Sequence, residues 1–116
     1  LCGHLIEMLS SSQLCATLSS AAIPVLPEAQ SLFAKGYESS LHSQNLKLQG
    51  MVDIATEITS ALDITFDPQT SGGLLGTVPH ERAHSCLANL RGNGYTDAKI
   101  IGQVKPRKNQ HVITLS

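Results

Sequence analysis

The chain has 116 residues, 41% of them hydrophobic, and 8 Lys+Arg against 9 Asp+Glu give a net charge of −1. That length suits one domain with a buried core, and a charged share of only 15% at this hydrophobicity excludes intrinsic disorder. With no basic excess and aromatics at 3%, the chain is not expected to bind nucleic acid, which needs a basic footprint or a stacking platform.

Leu1, Leu5, Ile6 and Leu9 form an apolar stripe at helical spacing, which predicts a helix from Leu1 to about Ser10, ended by Ser11-Ser12. The chain starts at Leu1 rather than Met and with no N-cap, so it is expected to be a piece of a longer protein, and the lack of a charged-then-apolar start gives no sign of secretion. Gln13 to Leu18 reads as a short strand. Pro27 suits the first position of a helix running through Glu28, Leu32 and Phe33 to Lys35, with Gly36 as its stop. Tyr37 to Gly50 is polar and reads mostly as loop with one helical turn, which leaves His42 exposed. Met51, Ile54 and Ile58 fit a helix, Val52 to Ile54 fits a strand, and both readings stay open. Leu62, Ile64 and Phe66 lead into a loop from Asp67 to Gly73. Leu74-Leu75-Gly76-Thr77-Val78 has the pattern of a buried strand stopped by Pro79.

A helix from His80 to about Arg91 places Ala83, Cys86, Leu87 and Leu90 on one face, and Gly92 and Gly94 close it. Lys99 to Val104 and His111 to Leu115 are predicted strands. The Pro106-Arg107-Lys108-Asn109 turn between them predicts an antiparallel hairpin, with His111 exposed. Residues 1–116 are thus expected to form one α+β domain (α/β layers), a mixed sheet with packed helices. No apolar run approaches the roughly 18 residues of a membrane span, so a membrane is not an expected partner.

His80-Glu81-Arg82-Ala83-His84 matches H-E-x-x-H, in which two histidines one helical turn apart hold zinc. The pattern needs a third ligand. Leu90 stands where a further His would be, no Glu follows Glu81, and Arg91 lies on the same side as both histidines. They are read as surface residues, and no metal ligand is assigned. Cys2, Cys15 and Cys86 are an odd set without a CxxC pair, which favours inert thiols in a reducing cytoplasm over disulfides or nucleophiles. No residue is assigned as catalytic, because Asp53, Asp63, Asp67 and Asp97 are scattered without a close pair.

The loop Asp67-Pro68-Gln69-Thr70-Ser71-Gly72-Gly73 carries the strongest local signal. Pro68 fixes a turn, and Gly72-Gly73 admits backbone conformations that residues with a Cβ resist, so a strained turn is expected. Successive N–H groups from Thr70 onward, with two hydroxyls, can form an anion-binding nest. A Walker-type phosphate loop would need a Lys and a following helix, and this loop has neither. On the residues alone, a structural turn and an anion site remain equally open.

The string from Asp67 to Leu75, Asp-Pro-Gln-Thr-Ser-Gly-Gly-Leu-Leu, resembles the hallmark segment near the C-terminus of the selenophosphate synthetases (selenide, water dikinases). Leu1-Cys2-Gly3-His4-Leu5 resembles the tail of that family's T-D-V-T-G-F-G-L-L-G-H-L, with Cys2 where Leu is usual. Pro24, Leu26 and Pro27 with the helix to Gly36 are similar to its I-P-x-L-P segment, and Ile101-Gly102-Gln103-Val104 to its closing I-G-x-V strand. One stretch departs. Many members have Gly-Gly-Thr and then Asn after the second helix, whereas Ser39 to Asn45 lacks the glycines and keeps Asn45.

The resemblance implies the C-terminal domain of a two-domain or larger enzyme of the aminoimidazole-ribonucleotide-synthetase-like superfamily. Such an enzyme makes selenophosphate, AMP and phosphate from ATP, selenide and water. The reactive Cys or selenocysteine, its Lys and most of the magnesium-binding Asp residues would lie in the N-terminal domain. ATP and Mg2+ would then serve the intact enzyme, neither held tightly by this inactive piece. Asn45, Thr70, Ser71, Gly72 and Gly73 are the implied ligand-contacting residues, with Asp67 and Gln69 as braces. His4 either faces the cleft or is an ordinary helix histidine. The implied partners are the chain's own N-terminal domain, a second copy in a homodimer, and the small molecules selenide and ATP, in the cytoplasm. The alternatives are the matching domain of another ATP-dependent superfamily member, or a free-standing anion-binding or interaction module.

Overall fold

The computed structural model describes residues 1–54, 59–69, 71–108 and 110–116. The N-terminal apolar stripe becomes α1, Cys2–Ser10, with Cys2, Leu5, Ile6 and Leu9 buried on one side. Gln13, at φ 53, turns the chain into β1, Leu14–Leu18, which buries Ala16 and Leu18 and exposes Thr17. A short 3-10 turn at Ser20–Ala22 follows.

Pro27 acts one step earlier than the sequence suggests. Ala29 N donates to Leu26 O at 3.1 Å and Glu28 has φ 65, ψ −12, so Leu26 to Ala29 is a type II turn with proline at its second position. The helix α2, Ala29–Ala34, starts only after it, and Gly36 at φ 87 ends it, with Tyr37 N donating back to Leu32 O.

The polar stretch after Gly36 is more ordered than its composition predicts. It forms α3, His42–Asn45, and a 3-10 segment, Leu46–Met51, before β2, Val52–Ile54. Of the two readings left open at Met51, the strand is the one found, and Ile58 lies outside the described residues. The helix α4, Thr59–Phe66, delivers the chain to the Asp67 loop. A 3-10 turn, His80–Arg82, leads into α5, Ala83–Gly92, and Gly94 at φ 94 follows its end. The last two strands are β3, Gly102–Pro106, and β4, Ile113–Leu115.

Among the described residues the four strands form one mixed sheet in the order β2-β4-β1-β3. β1 runs antiparallel to β3 and parallel to β4, and β2 runs parallel to β4. The expected hairpin between the last two strands is therefore not present. β1 lies between them, and the connection, whose Asn109 lies outside the described residues, passes the start of β1, where Arg107 N donates to Gln13 O at 3.0 Å. The expected strand at Leu74 to Val78 is also not found. That segment has no regular secondary structure and pairs with no described strand of the sheet, Leu74 is fully exposed, and Leu75 alone of the five packs partly against the core.

The core fills the space between α1, α4 and the inner face of the sheet. Phe66, Val112, Ile113 and Leu115 are each at most 1% exposed, and they meet Cys2, Leu5, Ile6 and Leu9 of α1, with Ala16, Leu18 and Val52. Burying each large apolar side chain is worth about 1.5 to 3 kcal/mol, so this cluster fixes the seat of α4. Cys2 strengthens the seat with a polar contact, its Sγ 3.2 Å from Thr65 Oγ1. The end of α4, and the loop that leaves it, are thereby anchored to the most buried part of the molecule.

Candidate loop site at the end of helix four

Three groups from the segment after α2, including α3, converge on the end of α4 and the first residue of the loop. Ser39 N donates to Asp67 Oδ1 at 2.9 Å. Asn45 Nδ2 donates to the Phe66 carbonyl at 2.9 Å, satisfying one of the carbonyls that a helix end leaves free. His42 sits between them, its Nδ1 3.5 Å from Asp67 Oδ1 and its Nε2 3.8 Å from Glu38 Oε2. Its ring meets Phe33 of α2 edge-to-face, with centroids 4.9 Å apart.

His42 is only 3% exposed, so the expectation of an exposed loop histidine is corrected. The reason is tertiary. Phe33 covers the ring from one side, while Glu38 and Asp67 supply polar neighbours that no apolar stripe would announce. His42 also lines a cavity of about 660 Å³ shared with Phe33, Glu38, Ser43 and Asp63.

Beyond this clamp the loop is open. Ser71, Gly72 and Gly73 are exposed, and Thr70 lies outside the described residues. No N–H of Ser71, Gly72 or Gly73 donates to a backbone carbonyl among the described residues. The expected strain is not there. Neither glycine has a positive φ, and a Cβ built on Gly73 would meet nothing within 4 Å. On Gly72 it would meet chiefly the flexible Gln69 side chain, at 3.0 Å from Oε1. The packing of the described residues therefore gives no reason for glycine at 73. Free N–H groups with a hydroxyl beside them can receive an anion, and small residues let it approach the backbone. The loop carries no positive side chain, so any countercharge must come from elsewhere.

The other sequence candidates lie apart from the loop. His4 is exposed on α1, and His111 is half-buried just ahead of β4 rather than exposed. His80 and His84 are exposed at the start of the last helix, and no described group of three His, Cys, Asp or Glu is placed to hold a metal ion. All three cysteines are free thiols: Cys2 is buried, and Cys15 and Cys86 are half-buried. Burial pushes the Cys2 thiol pKa up, and its hydrogen bond to Thr65 offsets part of the rise.

The family described as AIR synthase related protein, C-terminal domain, matches residues 1–114. The chain belongs to that family. Its mixed sheet with packed helices is the α+β architecture expected from the sequence. Within curated proteins, the chain is 31% identical over 122 residues to a selenide, water dikinase of Clostridioides difficile, an alignment covering 99% of this chain and 34% of that protein. It is 35% identical to selenide, water dikinase 2 of Peptoclostridium acidaminophilum, over 97% of this chain and 33% of the relative. A selenide, water dikinase of Porphyromonas gingivalis is 37% identical over 88% of this chain. The chain thus spans about a third of the length of these relatives. No helix among the described residues is long and apolar enough to cross a membrane.

Proposed function

We propose that this AIR synthase related domain is the C-terminal domain of a cytoplasmic selenophosphate synthetase, completing the ATP cleft of an N-terminal domain. The observation that carries the reading is the loop itself. Gly73 has open space where a Cβ would sit, the neighbouring N–H groups lack backbone partners among the described residues, and the root is clamped by Asn45 and Asp67. A loop held firmly at its root and free at its tip suits backbone donation to a phosphate from outside the domain. Thr70, Ser71, Gly72 and Gly73 would meet the phosphate, while Asn45 would hold the loop's base or reach the ligand itself.

Phosphoryl transfer from ATP to selenide, with water consumed and AMP and phosphate released, needs cations to offset the charge on the phosphoryl oxygens. The described residues do not fit Mg2+, since no group of three His, Cys, Asp or Glu among them is placed to hold a metal ion. In this proposal Mg2+, the reactive Cys or selenocysteine and most of the ATP contacts belong to the N-terminal domain, and the whole enzyme works as a homodimer. This chain alone would neither turn over nor hold ATP tightly.

The test is the Thr70→Ala/Ser71→Ala double variant in the intact enzyme. Selenide-dependent AMP formation should fall while the melting temperature shows the variant still folded; for the exposed Ser71 a substitution should cost no more than roughly 0.5 kcal/mol. Full turnover in the double variant would reduce the loop to architecture.

A further inference from the structure

We infer that His42 is a proton-dependent positioning residue that latches the root of the Asp67 loop. The inference deepens the functional reading above, because the latch matters to turnover only if the loop faces ligand. It starts from a buried polar atom. His42 is 3% exposed, and its Nδ1 makes no hydrogen bond among the described residues. A buried ring nitrogen without a partner is costly, and it lies 3.5 Å from Asp67 Oδ1, just beyond hydrogen-bond length. A closure of about half an ångström would give Nδ1–H an acceptor.

The two ring nitrogens face two carboxylates on separate stretches of chain. Asp67 belongs to the loop root and Glu38 to the segment after α2, with Glu38 Oε2 3.8 Å from Nε2. Protonated from solvent, the imidazole presents N–H to both, and both contacts become charge-assisted. Neutral, it has one N–H to share between them. The surroundings reinforce this. Asp63 of α4 lines the same cavity, α2 contributes the uncharged Gln30, Ser31, Phe33 and Ala34, and the Leu1 nitrogen, near Asp67, donates to the Thr65 carbonyl at 3.0 Å. Among the described residues, the ionisable side chains that line this cavity or contact the imidazole are the acidic Glu38, Asp63 and Asp67. Asp67 also accepts from Ser39 N, so a proton on His42 draws the Ser39 to Asn45 segment and the loop root together. Gln69, which lies against Gly72, extends the effect towards the tip.

The experiment is an NMR pH titration of the 116-residue chain without ligand, following the His42 imidazole and the amides of Ser39, Gly72 and Gly73. Below the His42 midpoint the hydrogen-exchange protection factor of the Ser39 amide should rise roughly tenfold, and the glycine amides should shift along the same curve. In Asp67→Asn and in His42→Gln these changes should vanish. Loop amides that ignore the His42 titration, or follow it equally well in both variants, would overturn the latch. The test needs no turnover, so a working latch beside full activity of the Thr70/Ser71 double variant would sink the ligand-facing reading and leave the latch standing.

Discussion

Gly102 tests the sheet at its tightest point. It pairs with Leu18 across the β1–β3 ladder, and a Cβ built there would collide with the Thr17 carbonyl oxygen. The same Cβ would stand 2.8 Å from Leu18 Cδ2 and 3.0 Å from Leu18 Cα. Backbone cannot swing aside as a long side chain can, so Gly102→Ala must push β3 away from β1 or push Leu18 into the core. Leu18 is 3% exposed, and its face of the sheet includes Ile113 and Leu115, which leaves no room for the second route. β3 stands at the sheet edge with Gln103 to Pro106 exposed, which makes the first route the cheaper one and limits the cost. Overpacking of this kind costs about 1 to 3 kcal/mol. The thermal midpoint should fall by roughly 5 °C for each kcal/mol lost. Gly76→Ala is the control: a Cβ there meets nothing within 4 Å, and its midpoint should stay near wild type. Calorimetry on both variants reads the comparison. A Gly102→Ala chain as stable as wild type, or an equal loss at Gly76, would refute the reasoning.

Gly73→Ala should leave the melting temperature of the chain within about 2 °C, since its backbone is unstrained and its Cβ space is open, yet it should slow the intact enzyme if ligand approaches the backbone there. A large drop in stability would restore the structural reading of that glycine. For Cys2 the sign is set by burial, which raises its pKa above the ordinary value of 9.0. A thiol harder to ionise when folded stabilises the chain fully below that value and loses the contribution as pH climbs past the folded one. Stability should therefore fall more steeply above about pH 9 in wild type than in Cys2→Ala. At neutral pH, alkylation should mark Cys15 and Cys86 before Cys2, and mass spectrometry of partly alkylated protein checks the order.

What was legible in the sequence depended on local signals. The α1 stripe, the alternation of β1, and the stops at Gly36 and Gly94, whose φ values are 87 and 94, are written within a few residues of where they act. The pairing of the strands is not local. The proline turn after β3 suggests a hairpin, but β1 offers one edge to β3 and the other to β4, and both edges are taken. Leu74 to Val78 has strand composition, and composition does not supply a neighbouring edge. At the site, Asn45 and Asp67 were legible as separate residues, while their meeting at the end of α4 was not. His42 was missed because its burial comes from Phe33, Glu38 and Asp67, and only the last is distant in sequence; nothing in their spacing marks them as neighbours. The glycine pair was legible as a loop and misread as strain, since a glycine can serve conformation or approach and the sequence does not distinguish them.

The central claim is that this chain completes a selenophosphate synthetase. Phosphorus-31 NMR of ATP, Mg2+ and selenide, incubated with the intact polypeptide and separately with the 116-residue chain, tests it most directly. The account predicts selenophosphate, AMP and phosphate from the intact polypeptide and unchanged ATP with the chain alone. An intact polypeptide that consumes ATP without forming selenophosphate, or a chain that turns over by itself, would contradict it.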